Sequence, residues 1–189
     1  MRNIFNMLKS QKGAMFGLDA RIALAIFGIL SAGAGTMIFG IIAESRATAL
    51  TRELDSVEQA YTNFVFDTGI NTTTFTDLTD DSNVTNGWDG PYFTAIGDNH
   101  VQYGTYSLVE GLTTAATDPT TNACPAPPAD CFMWVSLTEV PDQTALDIQE
   151  KMDGKHTAVG GTDTNSDGKF RISTVAGNND TIFFRIAKR

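Results

Sequence analysis

The chain has 189 residues and a net charge of −9, from 13 basic and 22 acidic side chains. A protein with this acidic balance repels nucleic acid at long range, so the composition argues against non-specific binding of DNA or RNA. Beyond an N-terminal segment, the length is sufficient for one modest domain with its own core.

The chain opens with a polar leader, residues 1–14, that contains Arg2, Lys9 and Lys12 and no acidic residue. An uncharged apolar run, Ile22 to Ile42, follows it. As a helix, about 20 apolar residues cross the hydrocarbon core of a bilayer. Because basic flanks stay in the cytoplasm, the pattern predicts a transmembrane helix with its leader inside.

Two features are unusual for a simple anchor. Asp19 and Arg21 lie at the cytoplasmic edge of the apolar run, where a charge is costly unless it finds a partner. The run also contains four glycines, each of which lowers helix propensity by about 1 kcal/mol relative to alanine. They are Gly28, Gly33, Gly35 and Gly40. Such glycines allow helices to pack closely in a membrane.

Together, the basic leader, Gly13-Ala14, Met15 and Asp19 before an apolar helix resemble the signal of type IV prepilins, especially the type IVb branch, and of type II secretion pseudopilins. The resemblance implies that a prepilin peptidase cuts after Ala14 and methylates Met15. Asp19 is then the fifth mature residue, which pairs with the amino terminus of a neighbouring subunit. A cut after Gly13 is the alternative, and it makes Asp19 the sixth.

Two other interpretations of this segment remain open. Ala32-Gly33-Ala34 fits the small-residue pattern at which an ordinary secretory signal is cleaved. Cleavage there leaves the apolar stretch from Met37 to Ile42 as a bare N-terminus. The segment can also be a plain membrane anchor.

An amphipathic stretch follows the apolar run. Its apolar residues recur at spacings of three and four, as on one face of a helix: Ala47, Leu50, Leu54, Val57, Tyr61 and Phe64. With the apolar run, this pattern predicts one long helix over residues 15–66 that ends at Asp67-Thr68-Gly69. We expect the stripe to pack beneath a sheet. A coiled-coil stalk is the alternative, since the stripe is also heptad-like.

Residues 67–189 are predicted to form a globular head. Trp88-Asp89-Gly90-Pro91-Tyr92 resembles the motif that leads into the first strand of many pilins, with Trp88 folded onto the core. Short runs of aromatic and β-branched residues predict strands, and Gly97-Asp98-Asn99 predicts a hairpin turn. The predicted strands are Tyr92–Ile96, Val101–Val109, Phe132–Leu137, Lys169–Thr174 and Thr181–Ala187, with a helix between Pro141 and Asp153.

Two cysteines, Cys124 and Cys131, flank a proline-rich loop. If the head is exported, they can form a disulfide across this loop. Free thiols are the alternative.

One segment has the spacing of a calcium loop. Asp163, Asn165 and Asp167 occupy positions one, three and five, Gly168 provides the turn, and Lys169 offers a backbone carbonyl at position seven. Position twelve is Thr174 rather than glutamate, so the loop is not an EF-hand, and calcium binding needs other acids such as Asp153 or Asp180. A solvated turn is the alternative.

The sequence therefore predicts an α+β protein: a long N-terminal helix packed on an antiparallel sheet, as in the pilin fold. We expect no enzyme, because His100 and His156 have no nucleophile or metal-ligand motif beside them. The resemblance implies a filament subunit whose partners are further copies, a prepilin peptidase and an inner-membrane assembly machinery. The precursor is expected in the inner membrane and the filament in the periplasm or outside the cell. A membrane-anchored binding module that never polymerises is the alternative.

Overall fold

The computed structural model describes residues 12–84, 86–95, 97–112, 118–121, 124, 131–154, 168–174 and 177–189, with the backbone alone at 12–16, 36, 39 and 174. Two compact units divide the chain, Met1–Ala43 and Glu44–Arg189. The boundary lies inside the predicted helix, because the amphipathic half of that helix belongs with the head.

The long helix, α1, spans Lys12–Thr68. It begins slightly before the predicted residue 15 and continues two residues beyond the predicted end at Phe66. Gly69 ends it with a φ of +71°, and the Gly69 N–H donates to the carbonyl of Val65 at 2.9 Å. Glycine adopts this left-handed conformation at little cost, which is why the helix stops at the predicted Asp67-Thr68-Gly69 segment.

The apolar stripe of the second half of α1 lies in the core of the Glu44–Arg189 unit. All six of its residues are at most 2% exposed: Ala47, Leu50, Leu54, Val57, Tyr61 and Phe64. They share one hydrophobic cluster with apolar residues of the sheet and of the second helix. The predicted packing is therefore confirmed. Because the stripe is buried within its own chain, it offers no seam for the coiled-coil alternative.

A four-stranded antiparallel sheet forms the other side of this core, in the order β1, β2, β4, β3. The strands are β1 (Tyr106–Leu112), β2 (Cys131–Pro141), β3 (Phe170–Thr174) and β4 (Asn179–Lys188). A second helix, α2 (Asp142–Asp153), follows β2, and short 3₁₀ helices lie at Phe75–Leu78 and Pro119–Thr121. This confirms the α+β class, the second helix and the last three predicted strands, of which β2 and β4 are longer than expected.

The prediction of a first strand over Tyr92–Ile96 is wrong for the described residues 92–95. The N–H groups of Tyr92 and Phe93 both donate to the carbonyl of Leu78, at 2.9 and 3.1 Å, instead of to a neighbouring strand. Trp88 packs against the core as predicted, and its indole N–H donates to the carbonyl of Asp77 at 2.9 Å. Aromatic packing onto the first 3₁₀ helix thus overrides the strand propensity of this segment.

The predicted strand over Val101–Val109 is also wrong in its first half. Regular pairing with β2 begins only at Tyr106, and an isolated bridge joins Asn99 to Thr105. Gly97 and Asp98 do form a turn, but the residues after it make a compact loop rather than a hairpin strand. His100 holds that loop, as described below.

Candidate functional site

The segment of α1 from Gly17 to Ala43 is apolar and exposed. Its length and composition are sufficient to cross a membrane. The large apolar side chains in it are between 42% and 74% exposed: Leu18, Ile22, Leu24, Ile26, Phe27, Ile29, Leu30, Met37, Ile38, Ile41 and Ile42. A soluble monomer rarely exposes a continuous apolar surface of this extent, so the segment needs lipid or another protein around it.

The residues predicted for processing lie just before this segment, and those predicted for assembly lie at its start. The peptide bond between Ala14 and Met15 is in the first turn of α1, and Asp19 and Arg21 are exposed. A side chain added at Gly28, Gly33, Gly35 or Gly40 meets open space. Packing inside the single chain therefore does not explain these glycines.

Most of the predicted calcium loop, namely Asp163, Asn165 and Asp167, lies outside the described residues. Lys169 is described, and its ammonium group pairs with Glu58 of α1 at 3.2 Å. The N–H groups of Lys169 and Phe170 donate to the two oxygens of Asp153, at 3.0 and 2.9 Å. The carboxylate of Asp153 thus fixes the start of β3.

Cys124 and Cys131 lie at bonding distance, with their Cα atoms 5.7 Å apart. The carboxylate of Glu110 lies within 4.8 Å of both sulfurs, so the three side chains resemble a metal-binding group. The sulfurs are joined to each other, however, and Glu110 pairs with Arg189. The disulfide joins Cys124 to the first residue of β2, and the ion pair joins β1 to the C-terminal residue.

Breaking this bond is expected to destabilise the head by about 2–3 kcal/mol, because the oxidised bond restricts the unfolded loop. Urea unfolding of the full chain in detergent, with and without reductant, measures the difference. A variant with both cysteines replaced by serine is the control, since its stability should not respond to reductant. Equal stability of the oxidised and reduced wild type would contradict the prediction.

His100 belongs to a hydrogen-bonded cluster that the sequence did not indicate. Its Nε2 lies 3.2 Å from Glu53 Oε2, and the Tyr106 hydroxyl donates to Glu53 Oε1 at 2.8 Å. The N–H groups of Gln102 and Tyr103 donate to His100 Nδ1, at 2.9 and 3.0 Å. Since Nδ1 accepts twice, the ring proton lies on Nε2 and is directed at Glu53.

This cluster is suited to holding a loop rather than to catalysis. Both ring nitrogens of His100 are already engaged, and its side chain is only 6% exposed. The pocket beside it, of about 190 Å³, is smaller than most small-molecule sites. Glu53 thereby joins α1 to both β1 and the 97–105 loop. The contact joins residues about fifty positions apart, which no local sequence pattern could reveal.

Tyr61 makes the stability of the head sensitive to alkaline pH. Burial, with a smaller contribution from Glu110, raises its pKa to about 12 from the ordinary tyrosine value of 10.0. The folded chain holds this proton more firmly than the unfolded chain does. The stability from Tyr61 is therefore complete below pH 10 and lost as the pH rises towards 12. Tyr61→Phe, which has no proton to lose, should unfold at higher pH; circular dichroism measures the transition.

The Tyr61 hydroxyl makes a long hydrogen bond to Asn71, at 3.4 Å, and interacts with the backbone of Thr72. Tyr61→Phe should therefore lose no more than about 1 kcal/mol of stability at pH 7. That comparison is the control for the alkaline measurement. An unchanged alkaline transition in the variant would show that another group governs it.

In the comparisons with known proteins, no family model, no curated protein and no solved structure matches this chain.

Proposed function

We propose that the chain is a structural subunit of a helical filament of the type IV pilus or pseudopilus kind, with a pilin fold. One contrast within α1 carries the proposal. The stripe from Ala47 to Phe64 is buried in its own unit, whereas the large apolar side chains from Leu18 to Ile42 are exposed. Lipid covers the exposed segment before assembly, and the same segment of sister subunits covers it in the filament.

The acid and the glycines favour a filament over a plain anchor. An anchor in lipid needs neither a carboxylate at its edge nor glycines facing open space. In a bundle of helices, glycines permit close approach of the backbones. A buried carboxylate and a buried amine are each costly alone and offset each other when paired. Asp19 of one subunit thus pairs with the amino group of Met15 in the next.

Processing prepares that pair. In this proposal a prepilin peptidase removes residues 1–14 and methylates Met15 while the precursor lies in the inner membrane. An assembly machinery then moves the subunit into a filament in the periplasm or outside the cell. The role is structural rather than enzymatic. The 163–169 loop, with Asp163, Asn165, Asp167 and Lys169, is proposed to bind calcium in the head.

The mass of the native N-terminus is the direct test. A chain that begins at a methylated Met15, together with filaments in electron micrographs, supports the proposal. A chain that retains residue 1 and forms no filament is the anchored binding module. A chain that begins after Ala34 carries an ordinary secretory signal. Either of the last two results overturns the proposal.

A further inference from the structure

Two acids of the head, Asp142 and Asp180, belong to different elements of the fold. Asp142 is the first residue of α2, and Asp180 is the second residue of β4. The pairing of β2 with β4 sets Val140 opposite Asp180, and the N–H of Asp142 donates to the carbonyl of Asn178 at 3.2 Å. The start of β4 and the start of α2 are thereby held together, and each contributes one carboxylate.

Asp180 occupies a position that an apolar residue would normally fill. Side chains alternate between the two faces of a strand, and Asp180 shares its face with Ile182, Phe184 and Ile186, all buried. Asp180 itself is only 3% exposed. A charged group at such a position is costly unless something pairs with it.

The protein supplies no such partner among the described residues. The Oδ1 atoms of Asp142 and Asp180 are both buried, and neither accepts a hydrogen bond. Burial, and then the charge of Asp142, raises the pKa of Asp180. The two carboxylates are therefore close enough to repel each other, and each keeps one buried oxygen without a hydrogen-bond partner.

We propose that Asp142 and Asp180 bind a divalent cation of the calcium class at the junction of β2, α2 and the start of β4. Calcium takes oxygen ligands in flexible geometry, and two carboxylates supply its charge and up to four of its ligands. Water and backbone carbonyls supply the others. The bound ion ties the start of α2 to the β3–β4 hairpin. This site does not depend on filament assembly.

The test is the thermal unfolding midpoint of the full chain in detergent micelles at pH 7, in chelator and in millimolar calcium. The wild-type midpoint should rise by about 5 °C with calcium. Asp180→Asn should lose that rise, since the neutral amide has the same shape but cannot balance the ion. In chelator, Asp180→Asn should unfold at a higher temperature than the wild type, because the repulsion with Asp142 is gone.

Two controls locate the effect. Asp55→Asn removes the same charge from an exposed position on α1 and should retain the calcium response. A variant with both Asp163 and Asp167 replaced by asparagine disables the 163–169 loop. Its unfolding midpoint should still rise with calcium, and adding Asp180→Asn to that variant should remove the rise. Should Asp180→Asn fail to fold, Asp142→Asn, at a half-buried position, provides the same comparison. A full calcium response in the Asp180 or Asp142 variant, or none in the wild type, overturns the proposal.

Discussion

Asp19→Ala is expected to insert in the membrane normally and to yield at least tenfold fewer filaments than the wild type. Insertion depends on the apolar segment from Ile22 to Ile42, which the substitution leaves intact. Assembly depends on a carboxylate paired with the amino group of the next subunit. Removing one member of a buried charge pair costs about 2–5 kcal/mol, and each 1.4 kcal/mol changes an association constant about tenfold. A filament repeats that loss at every contact between subunits.

The measurement compares filaments sheared from cells with the membrane-bound pool, both detected with an antibody to the head. Asp19→Glu retains the charge and should assemble nearly as well as the wild type. Arg21→Ala removes the neighbouring exposed charge and should affect assembly far less. Normal filaments from Asp19→Ala would show that the acid does not hold the subunits in register. That conclusion would hold for either position of the mature N-terminus.

The helix and its buried stripe could be predicted because the signal is local and repeated. Apolar residues three and four positions apart must share a face of any helix, and Gly69 ends the helix through its own conformational freedom. The long central strands were predictable for a similar reason. The predicted run from Phe132 to Leu137, for example, combines aromatic and β-branched residues and follows a proline-rich loop.

The segment from Tyr92 to Thr105 could not be predicted, because distant contacts determine its path. Tyr92 and Phe93 have strand propensity, yet their N–H groups are bound by Leu78. His100 turns the following loop towards Glu53. Strand propensity is an average over many strands, and in this segment the specific packing and hydrogen bonds outweigh it.

The acid pair of the head shows a different limit. Asp180 precedes Ile182, Phe184 and Ile186 at intervals of two residues. This spacing in the sequence predicts a carboxylate on the buried face of β4. That Asp142 lies beside it follows only from the register between β2 and β4, which places the start of α2 next to the start of β4. Sequence alone can therefore indicate one ligand of such a site but cannot assemble the pair.

Leu54→Ala is expected to lower the free energy of unfolding of the head by about 2–5 kcal/mol, whereas Phe66→Ala should change it by less than about 0.5 kcal/mol. Both residues are large, apolar and on α1. Leu54 is fully buried, so truncation loses its transfer free energy and leaves a cavity, while Phe66 is 88% exposed. Since whole domains are stable by about 5–15 kcal/mol, the first change removes a large share.

Urea unfolding of the full chain in detergent, followed by the fluorescence of buried Trp134, measures both variants. The midpoint should fall for Leu54→Ala with little change in the slope, because the surface exposed on unfolding is nearly the same. The comparison also tests whether the second half of α1 buries one face in the head and exposes the other. A stripe that served a coiled-coil stalk would leave the stability of the head independent of Leu54. Equal losses from Leu54 and Phe66 would mean that both faces of this part of the helix are covered, and that the head packs on α1 differently from the arrangement described above.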